Sequence, residues 1–297
     1  MLRVVVVDDS ATARECLVQI LSADPDIRVV GVAKNGLEGV RLTQQLLPNV
    51  VTMDIQMPVM NGFEATREIM ITSPRPIVII SSSTRASDSE NAMRALKAGA
   101  LTLIAKPDGP RTERYELGAR QLVETVKTMA DVKVIRRRRR ADGDSREPIH
   151  LASVSARQVK VIAIAASTGG PPALQCVLSK LPKDFPTPIL VVQHLAPGFI
   201  DGLASWLDSS LDVRVKIAAS GEALQPGHVY IAPDDRHLGI NKHGEICLSS
   251  APAMDGFRPS ANFLFDSVAK ALGAKALTVI MTGMGRDGVK GLRAVHE

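Results

Sequence analysis

Short runs of aliphatic and β-branched residues alternate with stretches whose apolar positions recur every three or four residues, and this alternation governs most of the chain. Over residues 1–125 the short runs are Val4 to Val7, Val29 to Val32, Val50 to Met53, Ile77 to Ile80 and Leu101 to Ile104. Helical spacing fills the gaps at Ala11 to Leu21, Leu37 to Leu46, Gly62 to Met70 and Asp88 to Ala98, and a closing helix is expected near Glu116 to Met129. Strands separated by helices pair in parallel through right-handed crossovers, so residues 1–125 are expected to form a five-stranded, doubly wound α/β domain.

The pattern lapses into a run of arginines, Arg136 to Arg140, followed by ADGDSREP. No apolar period there is long enough to make an element, so residues 126–158 read as a linker. The alternation resumes over residues 159–297. Strands are expected at Val159 to Ile164, Ile189 to Val192, Val213 to Ile217 and Leu277 to Met281, with helices near Pro172 to Leu181, Ile200 to Leu207 and Ala261 to Leu272. A second doubly wound α/β domain with a mostly parallel sheet follows. Between Gly227 and Ser250 the runs HVYIAP, HLGIN and EICLSS, broken by Asp, Asn and Gly, read as antiparallel hairpin strands added to that sheet.

Composition narrows the function classes. With 45% hydrophobic and 23% charged residues, and no run of about 18 apolar residues, the chain is expected to be soluble and not inserted in a membrane. Acids follow the first apolar run directly where a signal peptide needs a longer apolar region, so a cytoplasmic protein is expected. Cys16, Cys176 and Cys247 are far apart and form no CxxC pair, which suggests reduced, structural thiols. The net charge of +5 equals the contribution of the five-arginine run, which reads as a solvated linker segment. Aromatic residues make up only 3%, too few to stack bases, and residues 159–297 hold no helix-turn-helix, so no nucleic-acid partner is expected.

Reactive groups in an open parallel sheet collect at the carboxyl edge. Asp8 and Asp9 end the first strand and Asp54 ends the third, its neighbour in a doubly wound order. Three crowded acids are costly unless a cation neutralises them, and hard oxygen ligands suit Mg²⁺. Lys106 ends the fifth strand, where it can neutralise added phosphate, and Ser81 ends the fourth, where it can offer a hydroxyl to a phosphoryl oxygen. Taken singly, each Asp would be a turn residue or helix cap; three at strand ends together with Lys106-Pro107 point to a phosphate acceptor. The clusters VVDDS, MDIQMPVMNG, IISSS and AKP resemble those of response-regulator receiver domains, which are flavodoxin-like. That resemblance implies Asp54 as phosphoacceptor, Asp8, Asp9, Asp54 and the Gln56 carbonyl around Mg²⁺, Ser81 and Lys106 as switch residues, and a cis peptide at Lys106 to Pro107 as a candidate. Leu103 stands where many receivers carry a switch aromatic.

In the second half, VIAIAASTGGPPAL reads as strand, turn and helix, with Ser167 exposed at the junction and glycines that let backbone N–H groups approach an anion. It lacks both the GxSxG elbow and a GK[ST] phosphate loop. A serine nucleophile needs a base and an orienting carboxylate. His194 follows the strand ILVVQ and Asp287 follows ALTVIMTGMG, so both are expected on the same carboxyl edge as Ser167. Singly, Ser167 reads as a helix N-cap, His194 as a structural histidine and Asp287 as a turn acid; jointly they point to a triad. His150, His228, His237, His243 and His296 have no ligand spacing and read as structural.

The segments AASTGGPPAL, VVQHLAPGF, MTGMGRDG, PGHVYIAP and RPSANFLFDSVA resemble the catalytic domain of chemotaxis protein-glutamate methylesterases. The resemblance implies a hydrolase that demethylates glutamate γ-methyl esters and deamidates glutamines, with Ser167 as nucleophile, His194 as base, Asp287 as its orienter, and backbone N–H groups of Thr168 and Met284 at the oxyanion. It implies a chemotaxis histidine kinase as phosphodonor, the cytoplasmic domain of a methyl-accepting chemoreceptor as substrate, a monomer, and no cofactor for ester hydrolysis. It also implies further elements after LRAVHE, so the catalytic domain is expected to be shortened at its C-terminus. A rival reading is a catalytically inactive, phosphorylation-dependent binding module for kinase and receptor.

Overall fold

The computed structural model describes residues 1–81, 93–107, 109, 112, 115–134, 159–282 and 286–296. The Arg136 to Arg140 run, the first part of the fourth expected helix and Met284 lie outside the described residues.

The first half is built from β1 (Leu2–Val7), α1 (Ala11–Ser22), β2 (Ile27–Ala33), α2 (Gly36–Leu46), β3 (Val50–Met53), α3 (Gly62–Thr72), β4 (Ile77–Ser81), helical residues 93–98 (α4), β5 (Thr102–Ala105) and α5 (Tyr115–Ala130). Its five strands are all parallel, in the order β2-β1-β3-β4-β5. Strand side chains alternate between two apolar faces. Val4, Val6, Val78, Ile80 and Ile104 pack with Leu17, Leu21, Leu122 and Val126 of α1 and α5. Val5, Val7, Met53, Ile77 and Ile79 pack with Val40, Ala65, Ile69 and Leu96 of α2, α3 and α4. Each such fully buried aliphatic side chain contributes roughly 1.5–3 kcal/mol of transfer free energy. Local signals set the helix starts: Ser10, Asn35 and Asn61 each accept a backbone N–H as N-caps, and Asn61 and Glu64 complete a capping box.

The second half comprises β6 (Val161–Ala166), α6 (Gly170–Leu178), β7 (Ile189–Gln193), α7 (Ile200–Ser210), β8 (Arg214–Ile217), β9 (His228–Ile231), β10 (His237–Ile240), β11 (Ile246–Ser249), α8 (Ala261–Leu272), β12 (Ala276–Ile280) and α9 (Val289–His296). Its main sheet is also parallel throughout, ordered β12-β6-β7-β9-β8. One face carries α6 and α7, through Leu174, Leu178, Phe199, Leu203 and Leu207. The other carries α8 and a hairpin, through Leu264, Phe265, Val268, Leu238 and Ile246.

The expected hairpin is corrected in one respect. HVYI, as β9, is a central parallel strand between β7 and β8, and only β10 and β11 pair antiparallel, as a separate two-stranded sheet rather than an addition to the main one. Val229, Tyr230 and Ile231 are buried on both faces, which only an inner strand achieves. Lys106 to Pro107 is trans; among the described residues the cis bond falls at Arg258-Pro259. No helix of the described residues is long and apolar enough to cross a membrane.

Gly62 shows how tightly the rim of the first sheet is packed. A Cβ there would lie 2.0 Å from the Asp54 carbonyl oxygen, while its N–H donates to Ile55 O at 2.9 Å. Gly62→Ala is expected to lower the unfolding free energy by about 1–3 kcal/mol, because backbone rather than a flexible side chain must give way. Urea unfolding monitored by circular dichroism measures it.

Candidate active site

Two reactive clusters sit at carboxyl edges, one per sheet. In the first, strand pairing of β1 with β3 sets Asp8 and Asp54 side by side. One carboxylate oxygen from each of Asp8, Asp9 and Asp54 falls within 4.8 Å of the others. Lys106 Nζ lies 2.7 Å from Asp8 Oδ2 and 3.0 Å from Asp54 Oδ2. Its N–H donates to the Ser81 carbonyl at 2.8 Å, which ties the ends of β4 and β5 together. The loop is held from behind by Arg14, whose Nη1 donates to the carbonyls of Asp8 and Asp9 at 2.7 and 2.8 Å.

The electrostatics of this cluster are unbalanced. Burial pushes the Asp54 carboxyl up to about 6; Lys106 and the N–H of Ile55 oppose the rise, and the negative charge of Asp8 adds to it. Burial works against the charge on Lys106, but Asp54 and Asp8 overcome it and raise its pKa. One lysine against three acids leaves net negative charge in a pocket of hard oxygen donors, which fits a small divalent cation. Gln56 follows on the exposed part of the same loop.

The second cluster follows from strand register. Ala166 pairs with Gln193, so Ser167 and His194 are the next residues of β6 and β7 at the same rim. Ile280 pairs with Ala165, which brings Thr282 beside Ser167, and Ser167 N–H donates to Thr282 O at 2.7 Å. Ser167 does not cap α6. The N-cap is Gly169 in the left-handed region at φ +76°, with Pro171 and Pro172 in the first turn, so the serine hydroxyl is left for the cleft.

Asp287 is buried against the amino end of α8. It accepts from Ser260 Oγ at 2.7 Å, Ala261 N at 2.6 Å and Asn262 N at 3.0 Å. Its Oδ2 also lies 3.1 Å from His194 Nε2. Burial alone would raise its pKa, but these donors, with His194 first among them, hold the carboxyl below its ordinary value. His194 thus turns Nε2 toward Asp287, at ion-pair distance but off the line of a hydrogen bond in this structure, the reverse of the serine-protease arrangement, where Nδ1 faces the aspartate. Phe257 stacks on the His194 ring, with centroids 4.3 Å apart and planes at 8°.

Of the residues singled out in the sequence, the structure brings together Asp8, Asp9, Asp54 and Lys106 in one cluster, and Ser167, Thr168, His194 and Asp287 in the other. No direct hydrogen bond joins Ser167 to His194, although they line one open cleft of about 950 Å³. Catalytic groups often draw together only with substrate bound. Leu103, Leu117 and Gln121 from β5 and α5 form the opposite wall of that cleft. Sequence reasoning missed Ser260, Thr282, Gln193 and Phe257. The N-cap serine before ANFLFDSVA was a legible signal for Ser260; the other three act only through tertiary neighbours. His237, read as structural, supports Ser260: its Nδ1 accepts from Ser260 N at 3.2 Å and its Nε2 donates to Pro252 O at 3.1 Å.

Comparison with known proteins matches residues 4–113 to the response regulator receiver domain family and residues 162–297 to the CheB methylesterase family. A protein-glutamate methylesterase/protein-glutamine glutaminase of Myxococcus xanthus is 50% identical over 99% of this chain and 84% of its own length. Proteins of the same description from Geobacter metallireducens and Nitrosospira multiformis are 45% and 44% identical over the whole of this chain, and over 86% and 84% of their own.

Asp54 and Asp287 generate opposite stability tests. The folded pKa of Asp54 is raised, so its protonated form favours folding: that contribution is complete below the ordinary carboxylate range and is lost as pH rises through about 6. Asp54→Asn should therefore stabilise the protein at pH 8 by up to about 3 kcal/mol, with most of the gain gone by pH 4. Urea unfolding at the two pH values gives the difference. Asp287→Ala leaves three buried donors unpaired and should cost about 2–4 kcal/mol at neutral pH, read from the same denaturation curves.

Proposed function

Since the chain belongs to the CheB methylesterase family, with a receiver domain ahead of the catalytic domain, we propose that its two rim clusters form one phosphorylation-switched Ser-His-Asp esterase. The protein is a carboxylic ester hydrolase that removes methyl groups from glutamate γ-methyl esters on chemoreceptors and deamidates glutamines at such sites. Full-length relatives described as enzymes favour this over an inactive binding module. The observation that carries the mechanism is the register that sets Ser167, His194 and Thr282 at adjacent strand ends, with Asp287 3.1 Å from His194.

In this mechanism Ser167 Oγ attacks the ester carbonyl and passes its proton to His194 Nδ1. Asp287 holds the Nε2–H in place and stabilises the imidazolium as it forms. The backbone N–H of Thr168, and that of Met284 beyond the described residues, serve the developing oxyanion; one such donor is typically worth about 10²–10³ in rate. As the tetrahedral intermediate collapses, His194 gives the proton to the ester's methoxy oxygen, which leaves as methanol, or to the amide nitrogen of glutamine, which leaves as ammonia. Water then attacks the acyl-enzyme, with His194 as base again, and frees glutamate. Ester hydrolysis itself uses only these side chains.

The receiver domain implies Mg²⁺-dependent phosphorylation by a kinase. Asp8, Asp9, Asp54 and the Gln56 carbonyl would hold the cation, which when bound offsets negative charge on acceptor and phosphoryl group. Asp54 is the proposed phosphoacceptor, with Lys106 and Ser81 as the groups that answer the new charge. The cleft wall formed by Leu103, Leu117 and Gln121 supports a switch in which the unphosphorylated receiver covers the triad and phosphorylation opens access. The protein is proposed to act as a cytoplasmic monomer on the cytoplasmic helices of a methyl-accepting chemoreceptor, with a chemotaxis histidine kinase as donor.

Methanol release from methylated chemoreceptor membranes tests both halves. Ser167→Ala should reduce it at least about 10³-fold, as loss of a triad nucleophile does. Asp54→Asn should keep basal turnover and lose stimulation by a small phosphodonor with Mg²⁺. Stimulation equal to wild type in Asp54→Asn would end the switch assignment.

A further inference from the structure

Gln193 ends β7 on the α6 and α7 face and is only 2% exposed. Its Nε2 donates to Ser167 O at 2.8 Å and to His194 O at 2.8 Å. A single carboxamide thus joins the residue that follows β6 to the residue that follows β7. Its Oε1 is buried without a hydrogen-bond partner and rests against Gly170, where an added Cβ would come within 2.0 Å of it. The next turn of chain is therefore built around this amide: Gly170 lacks the atom that would displace it, and Gly170 N donates to Ser167 O at 2.8 Å.

An apolar residue would fill the same space without stranding an acceptor, and a buried unpaired acceptor costs about 1–3 kcal/mol. The retained amide is thus accounted for by what its donor side does. Thr282 holds the opposite side of the same turn, taking Ser167 N–H on its carbonyl and donating its hydroxyl to Thr168 O. With Thr282 fixing the turn to β12, Gln193 sets its separation from the segment that carries the imidazole.

We propose that Gln193 is a positioning residue for the hydrolysis, one that fixes the backbone of the nucleophile relative to the backbone of the base. It touches neither substrate nor reacting atoms and acts through the carbonyls of Ser167 and His194. The inference rests on the Ser167, His194 and Asp287 assignment. Misplacement of reacting groups by about an ångström can cost 10²-fold in rate, so the effect belongs on turnover and not on substrate affinity.

The test uses the full chain, activated by a small phosphodonor and Mg²⁺, on methylated chemoreceptor membranes. Gln193→Met keeps length and bulk and removes the donor; Gln193→Glu keeps the shape and, when protonated, restores one donor. Gln193→Met should lower kcat about 10- to 100-fold with KM changed by less than about threefold, in a protein that remains folded at the assay temperature. The rate at which phenylmethylsulfonyl fluoride labels Ser167 should fall in parallel. Gln193→Glu should regain part of the loss relative to Gln193→Met as pH is lowered. Wild-type kcat and labelling in a folded Gln193→Met protein would overturn the proposal. So would loss of folded protein in both variants, which assigns Gln193 to folding, or an effect confined to KM. Ser167→Ala separates the two levels: activity retained there sinks the nucleophile assignment, whereas a dead Ser167→Ala beside a fully active Gln193→Met sinks only the role of Gln193.

Discussion

One buried carboxylate carries two obligations in this protein. Asp287 must satisfy the buried N–H groups at the start of α8, and it must face the imidazole of His194. A charge out of water is costly unless donors surround it. Here two backbone N–H groups, the Ser260 hydroxyl and the His194 ring do so, and the positive end of the α8 dipole adds to them. The depressed pKa is the consequence: Asp287 stays ionised and can hold an imidazole in one tautomer. Ser260, His237 and α8 belong to the site as firmly as the imidazole does, because they keep that carboxylate charged and in place.

The two domains use the same architecture to opposite electrostatic ends. Each places acids at the carboxyl edge of a parallel sheet, yet Asp287 is well supplied with donors and Asp54 is not. Asp54 has one backbone N–H and a share of Lys106, against burial and the charge of Asp8, and its pKa rises to about 6. A carboxylate left short of donors gains from an arriving cation; a fully hydrogen-bonded one serves as a fixed electrostatic support. Environments that push like groups apart in this way commonly separate the roles of carboxyl groups. The cleft between them, walled by Leu103 and Leu117 on one side and by Ser167 and His194 on the other, is where a change at the first sheet can reach the second.

Much of this was legible along the chain because parallel strands are continuous apolar runs and their ends are marked by polar residues. Asp8, Asp54, Lys106, Ser167 and His194 all stand one to three residues past such a run. Register was not legible. HVYIAP has the length of a hairpin strand and follows a Gly, so local pattern could not reveal that it is inserted between β7 and β8, where burial on both faces decides its place. The start of α6 had two local readings, since serine is the commoner cap; the turn requires a left-handed residue, and Gly169 supplies it, which leaves Ser167 outside the cap. Gln193 and Phe257 carry no local signal, since their contacts are made across strands or between loops. Ser260 had a signal of its own kind, an N-cap before an amphipathic run, which points to a helix start and says nothing of the acid it meets.

The central claim is that Asp287 fixes the tautomer of His194, leaving Nδ1 as the bare nitrogen facing the cleft. The ¹⁵N chemical shifts of the His194 imidazole, recorded in the neutral form and assigned against a His194→Gln protein, report this directly. A protonated Nε2 with an unprotonated Nδ1, the preference being lost in Asp287→Asn, is the predicted result. A protonated Nδ1 with a bare Nε2 in the native protein would contradict the account.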